Sequence, residues 1–316
     1  STTRNTMLKP TEEQETILSL ATGTEDNLII NALAGTGKTS TLEMIERAVK
    51  TKPILYLCFN KKIADDASKR MLSTTTVRTF NSLGHRIWQS AYGRLALDPK
   101  KSAAILRSII DETPRRDQGP LWDSFWEIVH GVGLAKALGY VPEGKYPQAK
   151  RLIKQSDFHA RLEETPDDLT ADLMEAVLTR SIAAAYKGNI DYNDQVYMPA
   201  LFGGTFPRFP LVKVDEVQDL NPVNHALLDR LVKHRIIAVG DPFQSIYGFR
   251  GAVQSGMATL ATRFSTTPTD LSVSFRCPQA VVEAARWRVP HFKWIKPGGH
   301  VEVLTKLQAN DLPDGA

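Results

Sequence analysis

Cysteine is nearly absent: two in 316 residues, Cys58 and Cys277. Two thiols make neither a disulfide framework nor a zinc pattern. Cys58 lies in an apolar run at 54–59 and reads as a buried thiol; a reducing compartment suits both. Long apolar runs are also missing. No stretch approaches the roughly 18 residues that a membrane helix needs, so no span is expected. The first residues, STTRNT, lack the apolar core of a secretory signal and do not begin with Met. The expectation is a cytoplasmic protein, nucleoid-associated or nuclear in a eukaryote, whose start is trimmed or carries added residues. There is no internal repeat and no low-complexity tract. Charge of one sign is not in large excess: 39 Lys and Arg against 35 Asp and Glu leave +4. A pI near 8.9 permits a nucleic-acid partner without demanding one.

What is present is a globular composition, 42% hydrophobic and 23% charged, with more residues than one core usually organises. A helix is expected from Thr11 over 11–20, with acidic residues and Gln in its first turn. A short apolar run, 28–30, then ends in a glycine turn, followed by a helix over 38–49. A second strand, 54–59, and a helix through Met71 come next. Strand, turn, helix, strand, helix is the pattern of a parallel α/β sheet.

From about 90 to 188 the period becomes helical, over 103–110, 121–129 and 169–186. This stretch reads as a helical insertion. Trp122 and Trp126 are four apart on one expected helix; such a pair can stack on DNA, but core packing is far more common and is the reading taken here. Strands return at 211–214 and 236–239. From Leu271 a new unit is expected, with strands at 271–273 and 301–304 around a helix at 279–288. Some 45 residues are too few for a complete α/β domain.

Three segments carry chemistry. Residues 32–39, ALAGTGKT, match a phosphate loop, with Ala32 where the pattern's first glycine stands. Backbone N–H groups must turn inward onto phosphate oxygens, and Gly35 and Gly37 permit that path. The following helix brings its positive end to the phosphates. Ala34, Gly35, Thr36, Gly37, Lys38, Thr39 and Ser40 are therefore candidates to hold a nucleotide. Lys38 would reach the β- and γ-phosphates, and the Thr39 hydroxyl would bind Mg²⁺. ATP and Mg²⁺ are the expected cofactors.

Residues 214–219, VDEVQD, deliver two carboxylates from the end of an apolar strand. Asp215 can hold Mg²⁺ through water, and Glu216 can deprotonate an attacking water. Residues 239–251, VGDPFQSIYGFRG, end a strand in a polar loop. Its Gln244 can sense a γ-phosphate, and Phe249 with Arg250 can stack on a base and grip a phosphate.

Together these segments resemble a superfamily 1A DNA helicase of the UvrD/Rep/PcrA type. LCFNKKIA at 57–64 and TFNSL at 79–83 are also similar to the F-box DNA helicases. The likeness covers about 8–90 and 190–290. It implies a RecA-like P-loop NTPase domain made of 1–89 and 189–270. It further implies a helical insertion at 90–188 and the start of a second RecA-like domain at 271–316. It implies that Gln14 reads adenine, Phe275 stacks on it and Arg276 acts as an arginine finger. Gln244 would couple hydrolysis to movement. Phe59, Asn60, Lys61, Thr79, Phe80, Asn81, Phe249 and Arg250 would line single-stranded DNA, and duplex junctions would be partners too. Three positions depart from the family pattern: Phe275 where Tyr is usual, Ser274 for Asn, and Asn81 for His. No second-domain QxxKGxE or closing Thr-Arg motif is found. The implied activity is 3′-to-5′ ATP-driven translocation by part of a longer protein. A P-loop kinase, or an NTPase switch that only docks a partner, are the competing readings.

Overall fold

The computed structural model describes residues 9–244 and 256–301. Elements alternate from the start: α1 (Glu12–Gly23), β1 (Leu28–Ala32), α2 (Lys38–Ala48), β2 (Ile54–Cys58), α3 (Lys61–Arg70), β3 (Thr75–Thr79) and α4 (Phe80–Tyr92). A helical stretch follows: a two-residue β4 (Ala96–Leu97), α5 (Lys101–Glu112), α6 (Gly119–Asp123), α7 (Phe125–Leu138), α8 (Gln155–His159) and α9 (Asp168–Tyr186). Then come β5 (Asn189–Ile190), α10 (Asp194–Phe202), β6 (Phe209–Val214), α11 (Pro222–Leu231), β7 (Val232–Gly240) and α12 (Gly256–Phe264). The described chain closes with β8 (Thr267–Leu271), β9 (Val273–Ser274), α13 (Gln279–Ala285) and β10 (Lys293–Trp294).

Six strands form one sheet in the order β3-β2-β6-β7-β1-β8, and every pairing is parallel. The architecture is α/β, as the strand–helix alternation predicts. β1, β2 and the end of β7 are almost wholly buried, because helices cover both faces of such a sheet. One apolar cluster lies on the face of α4, α10 and α11 and runs on into the helical stretch. A second lies on the face of α1 and α2.

Two expectations change, and a third falls outside the described residues. Thr267–Leu271 is the edge strand beside β1, so Leu271 closes the main sheet. Val273–Ser274 is a separate short strand paired with β10. Pro268 was no obstacle, since an edge strand tolerates a missing donor. The strand expected at 301–304 lies almost wholly outside the described residues. Trp122 and Trp126 are not a core pair: they are 46% and 60% exposed. The chain breaks at Ser124 between α6 and α7, so Leu121, Phe125 and Ile128 take the inward positions instead.

Candidate nucleotide site and nucleic-acid face

The chemistry collects where the parallel strands end, as open α/β sheets require. β1 runs into the glycine loop, β6 into Asp215, β7 into Asp241, and β8 into Ser272. Gly35 and Gly37 take φ of +71° and +82°, values that cost an L side chain strain. Space excludes a side chain at Gly35 as well. A Cβ there would lie 2.6 Å from Cβ of Arg276 and 2.9 Å from Oγ of Ser274. α2 then starts at Lys38 with no side-chain cap, leaving its first amides facing the loop.

The segment after β8 folds back over this loop. The Phe275 amide donates to the Gly35 carbonyl at 2.9 Å. The Ser272 amide donates to Glu13 on α1 at 2.8 Å, and its hydroxyl donates to the same carboxylate. A small third core, Leu33 with Val282, Val289 and Phe292, pins α13 against the loop. Burying each such side chain contributes about 1.5–3 kcal/mol. These contacts bring Phe275 and Arg276 to a cavity of about 710 Å³ shared with Gln14, the loop 35–40 and Glu216. Thr39 and Ser40 line it; Ala34 sits beside the third core.

Gln14 is fixed before any ligand arrives. Its Oε1 accepts from the Thr11 amide and its Nε2 donates to the Thr41 hydroxyl, both at 3.0 Å. The first is half of a capping box at the start of α1.

Across the cavity, Lys38 Nζ lies 3.1 Å from Oε2 of Glu216. Glu216 has a left-handed backbone, φ 54°, unusual for a residue with a side chain. Its amide donates to Oδ1 of Asp215 at 2.9 Å. The other Asp215 oxygen, Oδ2, accepts from the Tyr56 hydroxyl at 2.6 Å. Burial pushes the Asp215 carboxyl above its ordinary range, against the Tyr56 hydroxyl bond. Burial likewise raises the Cys58 thiol to about 12, with Asp215 adding to the rise. Cys58 is thus an inert buried thiol.

Gln218 joins two strand ends. Its Nε2 donates to Glu216 Oε2 at 2.7 Å, and its Oε1 accepts from the Asp241 amide at 3.0 Å. The Gln244 amide turns back onto the Asp241 carbonyl at 3.2 Å, with its side chain exposed. Phe249 and Arg250 lie outside the described residues.

On the other flank, β2 and β3 end side by side, Cys58 opposite Thr79. Phe59 and Phe80 follow with ring centroids 5.5 Å apart. Only Phe59 is partly exposed. Phe80, expected to face a nucleic acid, is 1% exposed. It opens α4 on the inward face and supports Phe59 from below, so its ring is not available to a base. Asn60 and Thr79 are also occupied in part: their side chains cap α3 and α4. Lys61 is exposed. The Asn81 amide nitrogen donates to the Tyr192 carbonyl and to Gln195 Oε1, at 2.7 and 2.9 Å. Tyr192 itself is 56% exposed, beside the flank and unanticipated.

The UvrD/REP helicase N-terminal domain model matches residues 11–181 and 198–265, more than half of the chain. This chain belongs to that family. Among relatives, the putative ATP-dependent DNA helicase YjcD of Bacillus subtilis is 26% identical over 295 residues, 85% of this chain and 37% of that protein. DNA helicase IV of Escherichia coli is 25% identical over 342 residues, 91% of this chain and 48% of that protein. F-box DNA helicase protein 1 of Schizosaccharomyces pombe is 25% identical over 263 residues, 77% and 28%. The chain therefore spans less than half the length of these relatives. Among the described residues of this UvrD/REP-family chain, no helix is long and apolar enough to cross a membrane.

Tyr56, Gln218, Lys213 and Tyr192 are site residues that no sequence motif assigned. Two of them left a signal. Tyr56 and Lys213 are the polar-ended members of otherwise aliphatic buried strands, and a buried polar group requires a partner.

Proposed function

We propose that this chain is the leading motor portion of an ATP-dependent DNA helicase. The observation that supports it best is the convergence on one cavity of Lys38, Glu216, Phe275 and Arg276, from both sides of the glycine loop. The residues fit a magnesium nucleotide. The loop offers left-handed glycines and free helix-end amides, and Phe275 carbons lie 3.7–3.8 Å from where a Gly37 Cβ would be. A hard cation bound by one carboxylate, one hydroxyl and substrate phosphates is the usual magnesium arrangement. Thr39 and Asp215 would hold it, and it would neutralise phosphate charge.

In this reading Phe275 stacks on the adenine and Gln14 presents its preset amide to the base edge. Lys38 meets the β- and γ-phosphates. Glu216 takes a proton from the attacking water. Arg276 stabilises charge on the transferred group, because the segment carrying it already lies over the loop. Gln244, at the end of β7, senses the γ-phosphate and passes its state towards the DNA. Single-stranded DNA tracks over Phe59, Lys61, Asn81 and Tyr192. Base stacking there is worth about 1–3 kcal/mol per base.

The reading takes 9–89 and 189–271 as the first motor domain, 90–188 as its insertion, and 272–316 as the opening of a second. Movement needs that second domain to close on ATP. Residues 1–316 alone would then bind nucleotide, hydrolyse it slowly and unwind nothing. The longer protein would unwind with 3′-to-5′ polarity, as the resemblance implies. Strand displacement on 3′-tailed and 5′-tailed duplexes tests it. The longer protein should open only the 3′-tailed substrate. Unwinding by the short form, or of the 5′-tailed substrate alone, would contradict the reading.

A further inference from the structure

Tyr56 lies in the middle of β2, with 0% exposure, among Ile54, Leu55 and Leu57. A hydroxyl is not needed to pack that position; Phe would fill the same space. Its hydroxyl donates instead to Oδ2 of Asp215, at 2.6 Å, across 159 residues of sequence. The second oxygen of that carboxylate is held by the Glu216 amide. Both oxygens are therefore tied, and the plane of the carboxylate is set by two donors from different directions.

The tyrosine ring is itself held. Tyr56 and Lys213 are register partners on β2 and β6, and the Lys213 ammonium sits 5.4 Å from the ring centroid. Lys213 is fully buried and bonds Glu46 at 2.6 Å and the Leu42 carbonyl at 3.2 Å. Both partners belong to α2, the helix that begins at the glycine loop. So α2, β2 and β6 meet behind one carboxylate. A buried carboxylate with a free χ2 could offer its lone pairs in several directions; this one is committed to a single direction.

We infer that Tyr56 is a positioning residue for magnesium: its hydroxyl fixes the Asp215 carboxylate so that the remaining lone pairs face the cation's water shell beside the phosphate loop. The inference rests on the reading of Asp215 as the magnesium carboxylate. Tyr56 touches neither nucleotide nor metal. It acts through Asp215, and it leaves the phosphate loop alone.

The test is Tyr56→Phe in the full-length protein, with a fluorescent N-methylanthraniloyl ADP as probe. Binding is titrated in EDTA and then against magnesium. The variant should bind the probe in EDTA within about twofold of wild type, while its half-saturating magnesium rises about tenfold or more, the scale of one hydrogen bond to a charged group. In an Asp215→Asn background the same change should add nothing. A merely structural role would lower the melting temperature without moving the magnesium midpoint. An unchanged or lowered midpoint overturns the inference alone. A wild-type protein whose probe binding ignores magnesium overturns the metal reading of Asp215, and the inference with it. If the variant does not fold, the wild-type hydroxyl proton is followed by NMR in tyrosine-labelled protein. It should shift when magnesium is added to the ADP complex; no shift overturns the inference.

Discussion

Lys38 and Glu216 meet at 3.1 Å across the cavity, with side chains 15% and 25% exposed. The pair joins the end of β1 to the end of β6, and Gln218 holds the glutamate from behind. A ligand phosphate would compete with Glu216 for the ammonium. Lys38→Ala should therefore weaken ATP binding by about tenfold or more, the scale of one strong charge-assisted contact. Isothermal titration checks this; wild-type affinity would remove Lys38 from the nucleotide site.

Phe59 and Phe80 stand 5.5 Å apart and should respond in opposite ways. Phe59→Ala should leave stability nearly intact and weaken oligo-dT binding roughly fivefold. Phe80→Ala should instead destabilise the fold by about 3–5 kcal/mol, as core aromatics do. Fluorescence anisotropy and urea unfolding on both variants separate the two. Equal losses of DNA affinity at unchanged stability would return Phe80 to the strand-binding face.

The glycine loop and the Asp215–Glu216 pair were legible in the sequence because their constraints are local. A tight turn needs glycine, and a strand end needs an apolar run before it. Other features depend on contacts far along the chain. Phe59 and Phe80 both follow a strand, but Phe80 also begins a helix, and only the packing of α4 decides which way it turns. β3, TTVRT, is β-branched but carries no apolar run, because it is an edge strand, half-buried throughout. Trp122 and Trp126 kept helical spacing, yet the break at Ser124 undid it. The bond from Tyr56 to Asp215 joins two strands that become neighbours only in the folded sheet.

Lys213 and Glu46 form a buried pair at 2.6 Å, with 0% and 1% side-chain exposure. Removing one partner strands the other. Lys213→Ala should cost about 3–5 kcal/mol in urea unfolding. Combining Lys213→Met with Glu46→Gln should cost less, since the amide can still accept from the Leu72 amide and the Thr75 hydroxyl that now bond Glu46. A double variant weaker than Lys213→Ala would mean that the charges themselves hold the site.

His225 on α11 is 2% exposed, and neither ring nitrogen has a hydrogen-bond partner among the described residues. Burial lowers its pKa to about 4, with nearby Arg263 adding to the effect. The folded state thus favours the neutral ring. Its contribution to stability is whole above the ordinary pKa near 6.5 and is lost as pH falls towards 4, at about 1.4 kcal/mol per unit. Urea unfolding at pH 7 and pH 5 should show that loss, and His225→Leu should flatten it. An equal slope in the variant would place the acid sensitivity elsewhere.

The central claim is that Glu216 drives hydrolysis in a site coupled to single-stranded DNA. The most direct measurement is single-turnover ATP hydrolysis by the longer protein and its Glu216→Gln variant, with and without oligo-dT. Wild type should accelerate when DNA is added. The variant should bind ATP normally and hydrolyse it about a hundredfold more slowly, with or without DNA. Undiminished turnover in Glu216→Gln, or a wild-type rate indifferent to DNA, would contradict the account.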